Sequence, residues 1–351
     1  MSISAECMPL IVGLPGPVLG PDELDVLERV QPVGVILFQR NIESADQVRE
    51  LVGNLVELDP RPFVAIDLEG GLVNRLQPIW GDLPSPSEAA AAGRRAVGAL
   101  GEAAGAACRN LGIHLDLAPV VDLGRSQGLI AQQGRSLADD PDRVATLARV
   151  FNQGLSSWGV RGCLKHFPGL GEIPVDTHEE LPWLDVTTSE IDEQIRVFAE
   201  LSAEIPLVMV GHVIVPCLGD EAVPASLSPA IIRRATQLPG SPIVLSDDIE
   251  MGALAGSGDL PERIEAALAA RTHGVLVCKA FDRLLEIAAH LNDRIATDSS
   301  LSTRMLEMAA CMGTLRRDLL QNAAAIPAPD DTTVAQLWER ARSEAGKAVS
   351  S

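Results

Sequence analysis

Two carboxylates stand together where an apolar run ends in the second half of the chain. The segment IVLSDDIEM places Asp247 and Asp248 directly after the run. Asp248 fits the N-cap of a following helix, a common role for aspartate where a strand turns into a helix. Asp247 still belongs to the strand, so its side chain is expected beyond the strand end, where a carboxylate can attack an anomeric carbon and form a covalent glycosyl-enzyme.

A second pair of reactive groups lies in the segment KHFPGLGEIPVDTH, whose glycines and prolines predict a loop. Asp176 and His178 are two residues apart, so in an extended chain their side chains point to the same side. A carboxylate beside an imidazole orients and charges it, which makes His178 a candidate proton shuttle near neutral pH. An exposed loop histidine with an accidental acidic neighbour is the structural alternative, and the spacing alone does not exclude it.

Charged and polar side chains also follow other short apolar runs. Asp67 and Arg75 flank a Gly-Gly turn, which lets the backbone approach a ligand closely. Lys165 and His166 end another run, and such a basic pair is costly to bury without anionic partners. A salt-bridged rim is the alternative for these groups. The full set at the ends of the runs is Asp67, Glu69, Arg75, Asp122, Arg135, Lys165, His166, Asp176, His178, His212, Asp247 and Asp248.

Short β-rich apolar runs alternate with helical stretches along most of the chain. The runs lie at 10–12, 34–38, 63–67, 114–121, 160–165, 207–215, 243–246 and 274–278. Continuous apolar runs are typical of parallel strands buried on both faces. Helix starts between them are indicated at Ser44, Asp140, Thr187 and Ser228. We expect an α/β fold, a single (β/α)8 TIM-type barrel with its active site at the C-terminal strand ends, with a doubly wound sheet as the alternative.

The chain has 351 residues, a length that one barrel with extensions can account for. We expect the catalytic barrel to occupy residues 1–325 and to end in a long helix over 301–325. Residues 326–351 are expected to form a loop, a short helix and a frayed tail.

Composition excludes several classes of function. Lys and Arg total 28 against 48 Asp and Glu, and the resulting net charge of −20 repels nucleic acids. The first twenty residues lack a basic segment of the signal-peptide kind, and no apolar run is long enough to span a membrane. The six cysteines are scattered without metal-site spacing. We therefore expect a cytoplasmic protein with reduced thiols, no metal and no cofactor.

Several stretches in unbroken order, over about residues 8–280, resemble glycoside hydrolase family three, in particular its single-domain β-N-acetylglucosaminidases of cytoplasmic peptidoglycan recycling. The stretches are GVILFQRNI (34–42), AIDLEGGLVNR (65–75), LDLAPVVD (115–122), GRSLADDP (134–141), KHFPGLGEIPVDTH (165–178), VMVGHVIVP (208–216), PASLSP (224–229) and VLSDDIEM (244–251).

The resemblance implies specific roles. Asp247 matches the nucleophile of the family, and Asp176 with His178 matches its Asp-x-His acid–base dyad. Sugar-binding positions are matched by Asp67, Arg75, Arg135, Lys165 and His166, and pocket-lining positions by His212 and Met251. The implied reaction is retaining exo-hydrolysis of terminal β-linked N-acetylglucosamine (GlcNAc), with GlcNAc-containing oligosaccharides or muropeptides as the partner. With six Phe, four Trp and no Tyr, the chain has too few aromatic residues for a long sugar cleft, so the site should grip one sugar.

Two positions depart from the family pattern, and three other functions remain open. Leu170 stands where the loop usually has His, and Leu72 where the Gly-Gly turn is usually followed by Arg; both affect loop geometry and leaving-group recognition. One alternative is a metal-dependent barrel hydrolase, with ligands drawn from Asp67, His166, His178, His212 and Asp247. The others are a barrel that binds sugar without turnover, and a family member with another sugar specificity or with phosphate as the acceptor.

Overall fold

The computed structural model describes residues 7–176, 180–219 and 222–347. Parallel strands form one sheet, surrounded by helices. The strands are β1 (Met8–Gly13), β2 (Pro32–Leu37), β3 (Phe63–Ile66), β4 (Leu115–Asp116), β5 (Arg161–Gly162 and Leu164–Phe167), β6 (Leu207–Val210), β7 (Ile243–Asp248) and β8 (Gly274–Val277).

The sheet closes into a barrel at β5. Its first segment pairs with β4 and its second with β6, and only Cys163 separates the two segments. The remaining neighbours run in the order β4-β3-β2-β1-β8-β7-β6. The eight predicted strands are therefore confirmed as an α/β barrel. The fourth is shorter than its apolar run because Pro119 has no N–H to donate to a neighbouring strand.

Alternate residues of one strand serve two different cores. Leu10 and Val12 of β1 pack toward the surrounding helices, whereas Ile11 packs into the barrel interior. A strand buried on both faces needs apolar side chains at every position, and this explains the continuous runs in the sequence. Neighbouring strands approach closely where Gly34 of β2 meets Phe63 of β3, because a Cβ atom on Gly34 would lie 2.5 Å from the Phe63 ring.

Helices follow the strands around the barrel, and all four predicted helix starts are confirmed. Ser44, Asp140, Thr187 and Ser228 each accept a hydrogen bond from a backbone N–H in the first helical turn. The helices are α1 (Pro21–Val30), α2 (Ala45–Val56), α3 (Arg94–Asn110), α4 (Pro141–Ser156), α5 (Thr188–Leu201), α6 (Pro229–Thr236), α7 (Leu260–Ala269), α8 (Leu284–Thr297), α9 (Ser299–Ala325) and α10 (Asp331–Gly346). None of the described helices has the length and apolarity needed to cross a membrane.

Short elements extend the connections between strands. A hairpin of Leu68–Gly70 and Val73–Asn74 follows β3, and the short helix Leu129–Gln132 follows β4. The sequence patterns did not predict either of them. The other short helices are Gln77–Trp80 and Pro86–Ala92, and single 3₁₀ turns lie at Gln39–Asn41, Pro216–Leu218, Ala225–Leu227, Gly252–Leu254 and Phe281–Arg283.

The long helix α9 closes the N-terminal end of the barrel. Its residues Met312, Leu315 and Leu319 belong to the same core cluster as the inward-facing side chains of the strands. The Met312 side chain reaches the start of β8, where a Cβ atom on Gly274 would lie 2.7 Å from its terminal methyl group. A helix that follows the last strand therefore fills the barrel interior at its N-terminal end.

The last helix packs on the barrel and is longer than the short helix expected from the sequence. Helix α10 has 16 residues, and its Trp338 is one of the largest fully buried side chains. The indole N–H of Trp338 donates to the carbonyl of Asp82 at 2.9 Å, and its ring lies 5.7 Å from that of Trp80. A polar handle with a partner allows tryptophan to be buried at this depth.

We predict that Met312→Ala lowers the free energy of unfolding by about 2–5 kcal/mol, because it leaves a cavity in the barrel interior. Leu306→Ala in the same helix is the matched control, since Leu306 is 43% exposed, and it should cost less than about 1 kcal/mol. Urea denaturation of both variants with equal m-values measures the difference. Equal losses would contradict a buried role for this face of α9.

Candidate active site

A cavity of about 380 Å³ opens at the C-terminal ends of the strands, where barrel enzymes bind their substrates. Most residues that the sequence predicts for the site line this one cavity, although they come from separate strands and loops. They are Asp67, Arg75, Arg135, Lys165, His166, Asp176, Asp247 and Met251. The expected convergence of strand-end residues is thus observed.

Two carboxylates and two cations form a buried ion network on one side of the cavity. The Lys165 ammonium contacts Asp67 Oδ1 at 2.7 Å and Glu69 Oε1 at 2.6 Å. The Arg135 guanidinium binds Glu69 in a bidentate pair, with both N–H···O distances at 2.8 Å. The charges balance, which is the condition under which such groups can be buried.

The network leaves hydrogen-bonding capacity that faces the cavity. Lys165 has three N–H donors, and its two ion pairs leave one for a ligand oxygen. Asp67 binds Lys165 through Oδ1, so Oδ2 can accept from a hydroxyl group. In Glu69, by contrast, both carboxylate oxygens are already bound to Arg135 and Lys165. Glu69 therefore positions the two cations instead of binding a ligand itself.

Burial and charge set the protonation state of the network. Burial opposes ionisation of Glu69, but Arg135 and Lys165 outweigh it and hold the pKa of Glu69 well below its usual range. Burial also works against the charge of Lys165, yet Asp67 and Glu69 raise the pKa of Lys165 above its ordinary value. Glu69 and Lys165 therefore remain charged at neutral pH.

Asp122 holds His166 in one orientation. The buried Asp122 carboxylate lies 2.7 Å from His166 Nδ1 and accepts the backbone N–H of Leu170 at 2.7 Å through its other oxygen. Because Nδ1 is bound to the carboxylate, Nε2 is the ring nitrogen left for the cavity that His166 lines. The same carboxylate thus fixes both a cavity side chain and the start of the following loop.

Asp247, the last residue but one of β7, is a charged carboxylate. Burial alone would raise its pKa, but His166, His212, the N–H of Asp248 and Lys165 together bring the pKa of Asp247 below its ordinary value. The neighbouring acid differs, because burial, Glu250 and Asp247 raise the pKa of Asp248 to about 6. An anionic group in a polar pocket is what nucleophilic attack requires.

The loop after β5 brings Asp176 to the cavity lining. His178 lies outside the described residues, so its predicted pairing with Asp176 stays a prediction. Within 7–176, 180–219 and 222–347, no three His, Cys, Asp or Glu side chains are grouped as metal ligands.

Comparison with known proteins identifies the family, since residues 21–306 match the profile described as the glycosyl hydrolase family 3 N-terminal domain. The chain belongs to glycosyl hydrolase family 3. A β-hexosaminidase of Xylella fastidiosa is 36% identical over 77% of this chain and 83% of its own, and one of Stenotrophomonas maltophilia is 33% identical over 89% and 92%.

A solved structure extends the likeness over nearly the full length of the chain. NagZ from Neisseria gonorrhoeae, in complex with N-trifluoroacetyl-D-glucosamine, superposes with a TM-score of 0.76 at 25% identity and 99% coverage of both chains. Together with the two relatives, it shows that this family 3 chain is a glycoside hydrolase of the β-hexosaminidase type.

His212 differs from its expected position in the cavity lining of this family 3 protein. It is fully buried and is not among the residues that line the cavity. Its Nε2 donates to the carbonyl of Asp248 at 2.8 Å, and its Nδ1 lies 2.7 Å from the Ser226 hydroxyl. A histidine at the end of a strand can either line the cavity or be buried beside it, and the sequence alone does not distinguish these two positions. His212 fixes the backbone at the end of β7, which carries Asp247.

Asp248 also has a local role. Its carboxylate accepts the N–H of Glu250 at 3.1 Å, so it caps a turn and not the following helix that the sequence suggested.

Three buried acids in this family 3 site were given no role from the sequence. Glu69 and Asp122 were named only among the groups that end the apolar runs, and Asp116 was not named. Glu69 follows Asp67 by two positions, and this same-side spacing on an extended segment was the available signal. Asp122 and Asp116 act on residues far away in the sequence, for which no local signal exists. Among these acids, Asp116 is singled out by an oxygen, Oδ2, that is buried without a hydrogen-bond partner in the described part of the chain.

Asp116 lies beneath the ion network and positions it. Its Oδ1 accepts the N–H of Leu68 at 2.9 Å, and Leu68 stands between the two carboxylates that bind Lys165. Burial raises the pKa of Asp116 well above its usual range; the Leu68 N–H and Lys165 counteract burial, and Asp67 and Glu69 reinforce it. Burial therefore favours the neutral form of Asp116, consistent with a network whose charges already balance.

We predict that Asp116→Asn retains kcat/KM within about threefold of wild type, with an unchanged pH profile, because asparagine is neutral and keeps the acceptor for Leu68. Asp116→Ala should lose at least about tenfold, since a buried N–H left without a partner costs about 1–3 kcal/mol and frees the segment between Asp67 and Glu69. Steady-state kinetics across pH 5–9 measure both variants. An Asn variant as impaired as the Ala variant would show that Asp116 acts as a charge.

Proposed function

We propose that the protein is a retaining exo-β-N-acetylglucosaminidase that removes terminal β-linked GlcNAc, with Asp247 as nucleophile and Asp176 with His178 as the acid–base dyad. The observation that carries the proposal is the placement of Asp247: an ionised carboxylate at the end of β7, in the same cavity as the Asp67–Lys165–Glu69–Arg135 network.

In the first step, the Asp247 carboxylate attacks the anomeric carbon while the glycosidic oxygen takes a proton from His178. The attack and the departure occur on opposite faces of the sugar, which inverts the anomeric centre once. Asp176 orients the imidazole and favours its protonated form. The products of this step are a free leaving group and a covalent glycosyl-enzyme.

In the second step, a water molecule attacks the same carbon from the side that the leaving group has left. His178, now neutral, takes the proton of this water, and Asp247 departs as a carboxylate. Two inversions restore the β configuration. The low pKa of Asp247 suits both steps, because the group must be anionic before attack and a good leaving group afterwards.

The ion network and the arginines supply the groups that bind the sugar. Asp67 can accept and Lys165 can donate hydrogen bonds to adjacent hydroxyls. Arg75 also lines the cavity, where its guanidinium can donate to a ligand oxygen. The relative that binds N-trifluoroacetyl-D-glucosamine supports a GlcNAc ring as the sugar.

We further propose that the substrate is a muropeptide or peptidoglycan fragment and that the protein works in the cytoplasm. The resemblance to recycling enzymes supports the substrate. The six free cysteines, most of them buried, support a reducing compartment.

We predict that Asp247→Asn lowers kcat for 4-nitrophenyl N-acetyl-β-D-glucosaminide by at least about a thousandfold, because the amide is nearly isosteric but cannot form the covalent intermediate. Asp248→Asn is the matched control and should lose far less, since Asp248 caps a turn. NMR of the wild-type reaction should show β-GlcNAc first. Near-normal turnover by Asp247→Asn, or α-GlcNAc as the first product, would overturn the mechanism.

His178→Ala should be impaired in proportion to the protonation that the leaving group needs. General acid catalysis contributes about 10²–10⁴-fold and helps poor leaving groups most, so kcat/KM should fall strongly on a GlcNAc disaccharide and much less on the 4-nitrophenyl glycoside. Asp176→Ala should show the same pattern in milder form. Equal losses on the two substrates would mean that His178 binds the sugar instead of delivering a proton.

A further inference from the structure

Aliphatic side chains line the cavity in addition to the ion network and Asp247. They come from three segments: the hairpin after β3, the short helix after β4 and the loop after β5. We call this group of side chains the apolar wall. Its residues are Leu72, Val73, Leu129, Ile130, Ile173 and Val175.

Backbone hydrogen bonds join two segments of the apolar wall and anchor the third. The N–H of Leu129 donates to the carbonyl of Ile173 at 2.7 Å, and the N–H of Ile173 donates to that of Leu170 at 3.0 Å. These bonds join the short helix after β4 to the loop after β5. The hairpin turn is also anchored, because the N–H of Gly71 donates to the carbonyl of Leu83 at 3.0 Å. The wall is therefore built from ordered backbone.

Leu72 is exposed at the edge of this wall. It lies in the turn of the hairpin, 73% exposed, and still lines the cavity. A single exposed leucine is ordinary on a protein surface. Leu72 is part of a larger apolar surface, because Val73, Leu129 and Val175 are also only partly buried and line the same cavity. Together they offer apolar area to whatever enters the cavity.

The position of Asp176 indicates what that occupant is. Under the proposed mechanism the dyad protonates the glycosidic oxygen, which joins the sugar to its leaving group. Val175 directly precedes Asp176, and both line the cavity. Asp247 attacks from the opposite face of the sugar. Under this mechanism, the aliphatic side chains that precede Asp176 in the same loop therefore adjoin the leaving group.

We propose that the apolar wall is the leaving-group subsite, and that the enzyme prefers β-N-acetylglucosaminides whose leaving group presents an alkyl or other apolar face to it. The inference rests on the proposed function, since it takes the side of Asp176 as the side of the leaving group. Contact with the wall removes apolar surface of the leaving group from water, which strengthens binding in proportion to the area covered.

Methyl and n-hexyl N-acetyl-β-D-glucosaminide test the proposal. Both leaving groups are primary or methyl alcohols of similar acidity, so a difference in kcat/KM reports contact and not the ease of bond cleavage. Wild type should favour the hexyl glycoside by roughly tenfold. This hexyl-to-methyl ratio should fall at least about threefold in Leu72→Ser and again in Leu129→Ser. Leu72 is exposed, so its replacement should leave folding intact.

Leu306→Ser is the matched control, because it makes the same change at a partly exposed leucine of α9, on the closed end of the barrel. It should leave the hexyl-to-methyl ratio at the wild-type value. A wild-type ratio near one, or ratios in Leu72→Ser and Leu129→Ser equal to that of Leu306→Ser, would overturn the subsite. Turnover of neither glycoside would instead remove the proposed function, so the two failures are distinguishable.

Discussion

The bidentate contact between Glu69 and Arg135, shared with Lys165, is the interaction on which the site depends. It joins groups from three separate segments of the chain at distances that allow little adjustment. A buried network of this kind adds little net stability, because each ion loses its hydration on burial. Its value lies in position: the free donor of Lys165 and the free oxygen of Asp67 are held in place before any ligand arrives, which is how binding groups are pre-organised.

The supporting layer around the site follows the same physical logic. Asp122 holds His166, and His212 holds the backbone that bears Asp247. Each of these contacts crosses from one strand to a neighbouring segment, so the closed barrel supplies the alignment. A small error in strand position would break several of them together, and the packed barrel interior limits such errors.

Local patterns in the sequence predicted the strands and helix starts well, because a buried parallel strand and a capped helix each leave a short-range mark. They predicted the convergence of Asp67, Lys165 and Asp247 for the same reason, since strand ends in a barrel meet at one mouth. The hydrogen-bond and ion-pair partners of these residues could not be predicted from local sequence patterns. Nothing near Asp122 in the sequence shows that it binds a histidine from the next strand, and the lining position expected for His212 depended on which way a strand end turns.

Helix α9 fills the floor of the barrel, so the cavity opens at the opposite end, where the strands end. Under the proposed mechanism the alcohol departs before water attacks the anomeric carbon, and GlcNAc departs last. Released GlcNAc then occupies the same site as the next substrate, so accumulated product competes with substrate and slows the enzyme.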